Sequence, residues 1–407
     1  MPARCIAIFK HGRRGQRGAV LLIMLVLLLV GIAAVLINSL TAAAAKNARQ
    51  RTTSDVLAQA KDALLGRAVS DNNMPGSLPC PDTNDDGSAE LLSGNNCPSY
   101  IGRLPWRTLQ LPELRDGSGE HLWYALSPAF RDDNSAEPLN SNTKGTLLVY
   151  GPDGLTLQTQ AGYSAVAVIF SPGSPLASQA RNTTAQQNDP ANYLDIANGR
   201  NNASPIGTSN PGPFIAGTQS STFNDQLLLI TTQDLIPLLE ERVAGEVKNA
   251  LNKYHLANGY YPWADDITAT ADYHANAGLN RGWLPDDAST CCSPTTPNWV
   301  LGSPPQWFFD NQWYTLIYYS VMGNGQPSPC NSCTSFMLAV GAQSAQTLFF
   351  MPGTPIGTLV RSATTLSDYL EDSQNNDNAD DSYITPTSKA KDRDRLYWLS
   401  SGGKWNQ

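Results

Sequence analysis

Charge is scarce in this chain. Of its 407 residues, 15% are Asp, Glu, Lys or Arg, against about 25% in an average soluble domain. That excludes a coiled coil, whose solvated positions need abundant Glu and Lys. Basic residues are the scarcer sign, 27 against 35 acids, for a net charge of −8. No nucleic-acid partner is expected, because phosphates demand a basic face. Histidine is rarer still, with four in all. The chain has no H-E-x-x-H helix, no G-x-S-x-G elbow and no P-loop, so the common hydrolytic and phosphate-binding motifs are missing. Ser118, Glu120 and His121 cluster in Asp116-Gly-Ser118-Gly-Glu120-His121, but neighbours in one turn cannot form an oriented triad. No enzyme is expected.

Glycine (32), proline (28), tryptophan (9), tyrosine (15) and cysteine (7) are plentiful by comparison. The aromatics are enough to anchor a core, so a disordered acidic chain is excluded. A β-leaning protein punctuated by Gly and Pro, with cysteines and few charges, suits an export compartment.

The first forty residues differ from the rest. Residues 1–18 hold Arg4, Lys10, Arg13, Arg14 and Arg17 and no acid, and Ala19–Ile37 has no polar side chain. As a helix those 19 residues would reach about 29 Å, close to the hydrocarbon thickness of a bilayer. Basic residues before the run predict a cytoplasmic N-terminus and a single membrane pass. Val56, Leu57, Ala60, Leu64 and Leu65 then continue at helical spacing. Three readings fit: a secretory signal cut near Ala42–Ala45, an uncleaved anchor, or a short basic leader removed after Gly18.

The third layout resembles the type IV pilins and the pseudopilins of type II secretion, through Arg17-Gly18 followed by Ala19-Val20-Leu21-Leu22-Ile23. The resemblance implies that prepilin peptidase cuts between Gly18 and Ala19 and that Ala19 is N-methylated. It also implies packing through the N-terminal helix against other pilins, residence in the bacterial inner membrane before assembly, and periplasmic C-terminal domains exposed at a filament tip. Family members usually carry Glu as the fifth mature residue, where this chain has Ile23. A lone carboxylate in lipid is costly without a partner. A subunit without it suits the first place in a filament, as in the K-type minor pseudopilins. Removing the leader's five positive charges would take the net charge from −8 to −13.

The remainder matches itself in order. Gly76, Pro79 and Asp82 recur as Gly259, Pro262 and Asp265, and Gly102-Arg-Leu-Pro105 as Gly282-Trp-Leu-Pro285. Leu122-Trp123-Tyr124 answers Gln312-Trp313-Tyr314, and Phe170-Ser-Pro172-Gly173 answers Phe350-Met-Pro352-Gly353. Arg181, Tyr193-Leu-Asp195 and Asn224-Asp225 answer Arg361, Tyr369-Leu-Glu371 and Arg393-Asp394. A duplication with loop insertions is expected. Apolar spacing predicts a helix over Asp234–Leu256 that stops at Asn258-Gly259. The expected fold is α+β: a leader (1–18), a transmembrane and amphipathic helix (19–70), and two tandem pilin-like domains (71–231 and 232–407). Each domain would pack a helix on one face of a short antiparallel sheet.

Six cysteines follow the leader's Cys5. Cys80 and Cys97 would close one bridge in the first repeat. Cys291 and Cys292 would be joined to Cys330 and Cys333 in the second, with the pairing open. A thiolate metal site is the rival, though a vicinal pair suits zinc poorly. Asp82, Asn84, Asp86 and Glu90 place oxygens at alternating positions around Gly87. They are candidate calcium ligands, set against an ordinary Asx turn. Trp106, Trp123, Trp263, Trp283, Trp299, Trp307 and Trp313 could line a carbohydrate platform or fill a core. The expected function is a minor pilin or pseudopilin-like subunit for filament assembly, secretion or adhesion. A membrane-anchored periplasmic carbohydrate- or ligand-binding protein is the alternative.

Overall fold

In a computed structural model, the described residues are 17–133, 137–159, 164–207, 212–268, 278–285, 304–326, 329, 330, 332, 333, 337–357, 359–362, 364–377, 379–386 and 394–407. They divide into two units, Met1–Thr52 and Thr53–Gln407.

Helix α1 is Arg17–Ser70. From Thr53 onward it buries Leu57, Ala60, Leu64 and Ala68, a stripe at i, i+3, i+7 and i+11 that suits one face of a helix. In the first unit, Leu22, Met24 to Val30 and Ile32 are each 48–69% exposed.

The larger unit holds two sheets. In the first, β1 (Ile101–Arg103), β2 (Trp123–Leu126), β4 (Ala165–Ser171) and β8 (Gln226–Thr231) lie in the order β1-β2-β4-β8, all antiparallel. Beside it, β3 (Leu148–Tyr150) pairs in parallel with β7 (Pro213–Ile215), and β5 (Ile196–Ala197) with β6 (Arg200–Asn201). Helix α2 is the single turn Thr184–Gln187. Every residue of β2 and β4 is buried, because both faces of the sheet are covered. Tyr124, Leu126 and Ile169 face a core shared with the helices. Trp123, Ala125, Val168 and Phe170 face a second core roofed by Val149, Tyr193 and Phe214. This is the two-residue alternation of a strand.

Helix α3 (Thr232–Asn258) begins on the residue after β8. Asp234 accepts hydrogen bonds from the Thr231 backbone N–H (2.8 Å) and hydroxyl (2.9 Å), capping the first turn. Gly259, at φ 81°, ends the helix as its spacing predicted.

The second sheet orders β13 (Ser382–Tyr383), β11 (Leu338–Val340), β12 (Gln343–Met351), β10 (Tyr318–Val321) and β9 (Arg281–Trp283). On β12 and its neighbour lie β14 (Arg395–Ser400) and β15 (Trp405–Asn406). The one-turn helix α4 is Gln306–Asp310. Strands β9-β10-β12-β14 retrace the antiparallel path β1-β2-β4-β8. Phe170 pairs with Leu227, and Phe350 pairs with Leu396. Each long strand carries a register shift at the same place, Ala165/Ala167 and Ala345/Thr347. Trp123-Tyr124 corresponds through this register to Tyr318-Tyr319, so the sequence match to Trp313-Tyr314 was five residues early. Trp313–Leu316 is instead a 3-10 turn.

The expected fold class is corrected in three respects. Among the described residues no helix is long and apolar enough to cross a membrane. The single-pass inner-membrane placement falls with that. Nor do two pilin-like domains stand in tandem, because one core draws its residues from both halves. Buried bonds cross between the halves too. Leu139 N–H donates to Asn311 Oδ1 (2.8 Å), and the Ser141 hydroxyl (2.5 Å) and Gly353 N–H (2.9 Å) both donate to Glu240 Oε1. Finally, the second sheet is mixed, with β11 and β13 parallel.

Cys80 and Cys97 are bonded, Cα atoms 5.5 Å apart. Cys330 is bonded to Cys333, which corrects the expected bridges to the vicinal pair and uses thiols a zinc site would need. Cys291 and Cys292 lie outside the described residues.

Candidate functional site

The Gly18/Ala19 junction lies within the first turns of α1. The surroundings of Gly18, Ala19 and Ile23 lie outside the description.

The acidic loop is closed by its own hydrogen bonds. Asp82 is buried. Its Oδ1 accepts from the N–H of Asn84 (2.9 Å) and Asp85 (2.8 Å), and its Oδ2 from Gly87 N–H (2.7 Å). Asn84 Oδ1 accepts from Asp86 N–H, Asp86 Oδ1 from Ser88 N–H, and Glu90 Oε1 from Thr83 N–H and hydroxyl. Asp82, Asn84 and Asp86 thus act as successive Asx-type caps, and Glu90 closes the loop back onto Thr83. Burial raises Asp82 above the usual carboxylate range despite its three N–H partners. The described residues hold no group of three or more His, Cys, Asp or Glu side chains placed to bind a metal.

His121 does not engage Ser118 or Glu120. Its Nδ1 lies 2.7 Å from Asp85 Oδ1 and its Nε2 2.5 Å from Glu113 Oε1. Hydrogen bonds from His121 and Arg115 hold Glu113 below the ordinary glutamate range. Asp85 also meets Arg103 Nε at 3.1 Å, and the Arg103 guanidinium lies 5.0 Å from the Trp123 ring and 5.3 Å from that of Tyr193. This cluster ties the disulfide-closed loop to the first sheet. Sequence reasoning missed it because its contacts join residues up to 90 positions apart.

Of the tryptophans weighed as a carbohydrate platform, Trp123, Trp263, Trp283, Trp307 and Trp313 are buried. They fill cores, and Trp106 covers Gly87.

One constellation occurs twice. Arg181 lies over the Tyr193 ring at 3.8 Å and Arg361 over Tyr369 at 5.3 Å. Each arginine Nε donates to the carbonyl of the residue before its tyrosine, Asn192 at 2.8 Å and Asp368 at 3.0 Å. Two residues beyond each tyrosine, an acid pairs with another that opens the last shared strand. Asp195 N–H donates to Asp225 Oδ2 (2.8 Å), and Asp225 N–H (3.2 Å) and Asn224 N–H (2.7 Å) donate back to Asp195 Oδ2. Glu371 N–H donates to Asp394 Oδ2 (3.0 Å), and Asp394 N–H to Glu371 Oε2 (3.4 Å). The sequence repeat contained all these residues, but as matched positions without a contact.

No family model matches the chain, and neither a curated protein nor a solved structure matches it.

Proposed function

We propose that the chain is a minor pilin- or pseudopilin-like subunit at the tip, or in the initiating complex, of a type IV pilus or type II secretion pseudopilus. Its work is filament assembly, secretion or adhesion, without catalysis. The observation that supports this reading is the exposure of Leu22, Met24 to Val30 and Ile32 on α1, shortly after Arg17-Gly18-Ala19. Apolar surface in water costs about 25 cal/mol per Å², so such a strip favours packing among like helices of neighbouring subunits. A subunit without the fifth-position acid suits the first place in the stack.

Mass spectrometry of the protein co-expressed with prepilin peptidase tests the processing. The expected N-terminus is N-methylated Ala19; an intact Met1, or a cut near Ala45, rejects the reading. Ile23→Glu is expected not to raise incorporation into filaments, measured by immunoblot of sheared fibres. High copy number along the shafts would contradict the tip position.

A further inference from the structure

We propose that each repeat is fastened by a carboxyl pair sharing one proton at neutral pH, Asp195 with Asp225 and Glu371 with Asp394, and that the two form a base-sensitive latch. Three observations carry this. The reciprocal backbone bonds hold the two carboxyls of each pair side by side. Asp195, Asp225 and Asp394 are each 5% exposed or less, and like charges so placed cannot both ionise. Asp225 Oδ1 and Asp394 Oδ1, equivalent atoms of the two repeats, are buried, and with both acids ionised neither has a hydrogen-bond partner. A carboxylic O–H donated to the neighbouring carboxylate removes both the second charge and the orphaned oxygen. Coincidence does not explain its recurrence at matched positions in two sheets of different size.

The surrounding groups do not supply a full counter-charge. The first pair faces Arg181, whose Nη1 is already 2.7 Å from Glu120, and neutral Gln179 and Asn202, which donate to Asp195 and Asp225. Tyr193 and Arg103 lie behind them. The second pair faces Arg361, which is shared with buried Glu240, with Tyr369, Asp368 and Arg395 nearby. Consistent with this, burial and then Asp195 push Asp225 well above the carboxylate range. Burial, then the hydrogen bond and charge of Glu371, push Asp394 up to about 10. Asp225 and Asp394 each immediately precede β8 or β14. Loss of the proton to solvent therefore loosens the start of the last shared strand in each repeat.

The sign of the linkage follows from a raised folded pKa. The stabilisation is complete below the unfolded carboxylate pKa of about 3.9 and declines as pH rises towards the folded value. The test uses the full chain, with Asp225→Asn, Asp394→Asn and the double variant. Asparagine keeps the acceptor and supplies an N–H where the shared O–H stood. Between pH 6 and 9, the folding equilibrium of each single variant should gain on the parent by up to about tenfold per pH unit. Parallel pH profiles would overturn the proposal. Infrared spectroscopy of the unaltered protein at pH 7 decides the matter if a variant does not fold. A protonated-carboxyl band is expected, and its absence overturns the latch.

Discussion

Gly102 and Gly282 occupy the same place, opposite Tyr124 and Tyr319. The carbonyls of Asp82 and Asp265 press on them so closely that an added Cβ would lie 2.5 Å and 1.7 Å away. Their recurrence was visible in the sequence; its cause was not, because the carbonyl comes from a segment about twenty residues earlier. Alanine at either position should destabilise the protein by about 1–3 kcal/mol through forced backbone shifts, read by denaturant unfolding. Glu240 gave no sequence signal at all, lying unremarked in an amphipathic helix. It is fully buried, its pKa raised by burial against the pull of Ser141, Arg395 and Arg361. Glu240→Ala leaves the Ser141 hydroxyl and Gly353 N–H unpaired, at about 1–3 kcal/mol each. Glu240→Gln should recover much of that loss in the same measurement.

Helix α3 was readable to within two residues at each end, because apolar period and a terminal glycine agree there. The first sheet shows in the sequence only as repeated positions, Gly102, Trp123-Tyr124 and Phe170, and its surroundings do not show at all. Alternation cannot distinguish one covered face from two when both faces are apolar, and Val149, Tyr193 and Phe214 arrive from distant loops. Helix α1 meets the start of α3 through Lys61 Nζ and Asp234 Oδ1, 2.8 Å apart. Burial raises the Asp234 carboxyl, but the hydrogen bonds from Lys61 and Thr231 outweigh it and leave its pKa lowered. A lowered folded pKa stabilises above the unfolded value and is lost as pH falls through the folded one. Protection factors in the first turn of α3, relative to intrinsic exchange at the same pH, should therefore fall below about pH 4, and Asp234→Asn should show that lower protection already at neutral pH. The Cys80–Cys97 bridge closes a loop of 17 residues, worth about 3 kcal/mol in the chain-entropy picture. Replacing both with serine should lower the midpoint of thermal unfolding accordingly.

The molecule as a whole is squeezed from both ends of the pH scale. Asp234, and Asp71 at the end of α1, whose carboxyl N–H and Arg67 partners hold low against burial, weaken it in acid. The carboxyl pairs weaken it in base. The repeat was legible because its loop chemistry survived: Pro-Gly, Arg, Tyr-Leu-acid. The number of independent bodies was not, since a shared core leaves no mark on order or spacing.

No residue separates β8 from α3, and α3 buries its apolar face in a core that both halves build. In evolutionary terms, a single ancestral repeat would have left that face open to water. Two free copies would have found each other as a dimer before fusion made the partnership permanent. The present chain should retain the memory of that. Fragments 53–231 and 232–407 should be insoluble when made alone and should assemble when produced together, and a soluble, folded lone fragment would count against this history.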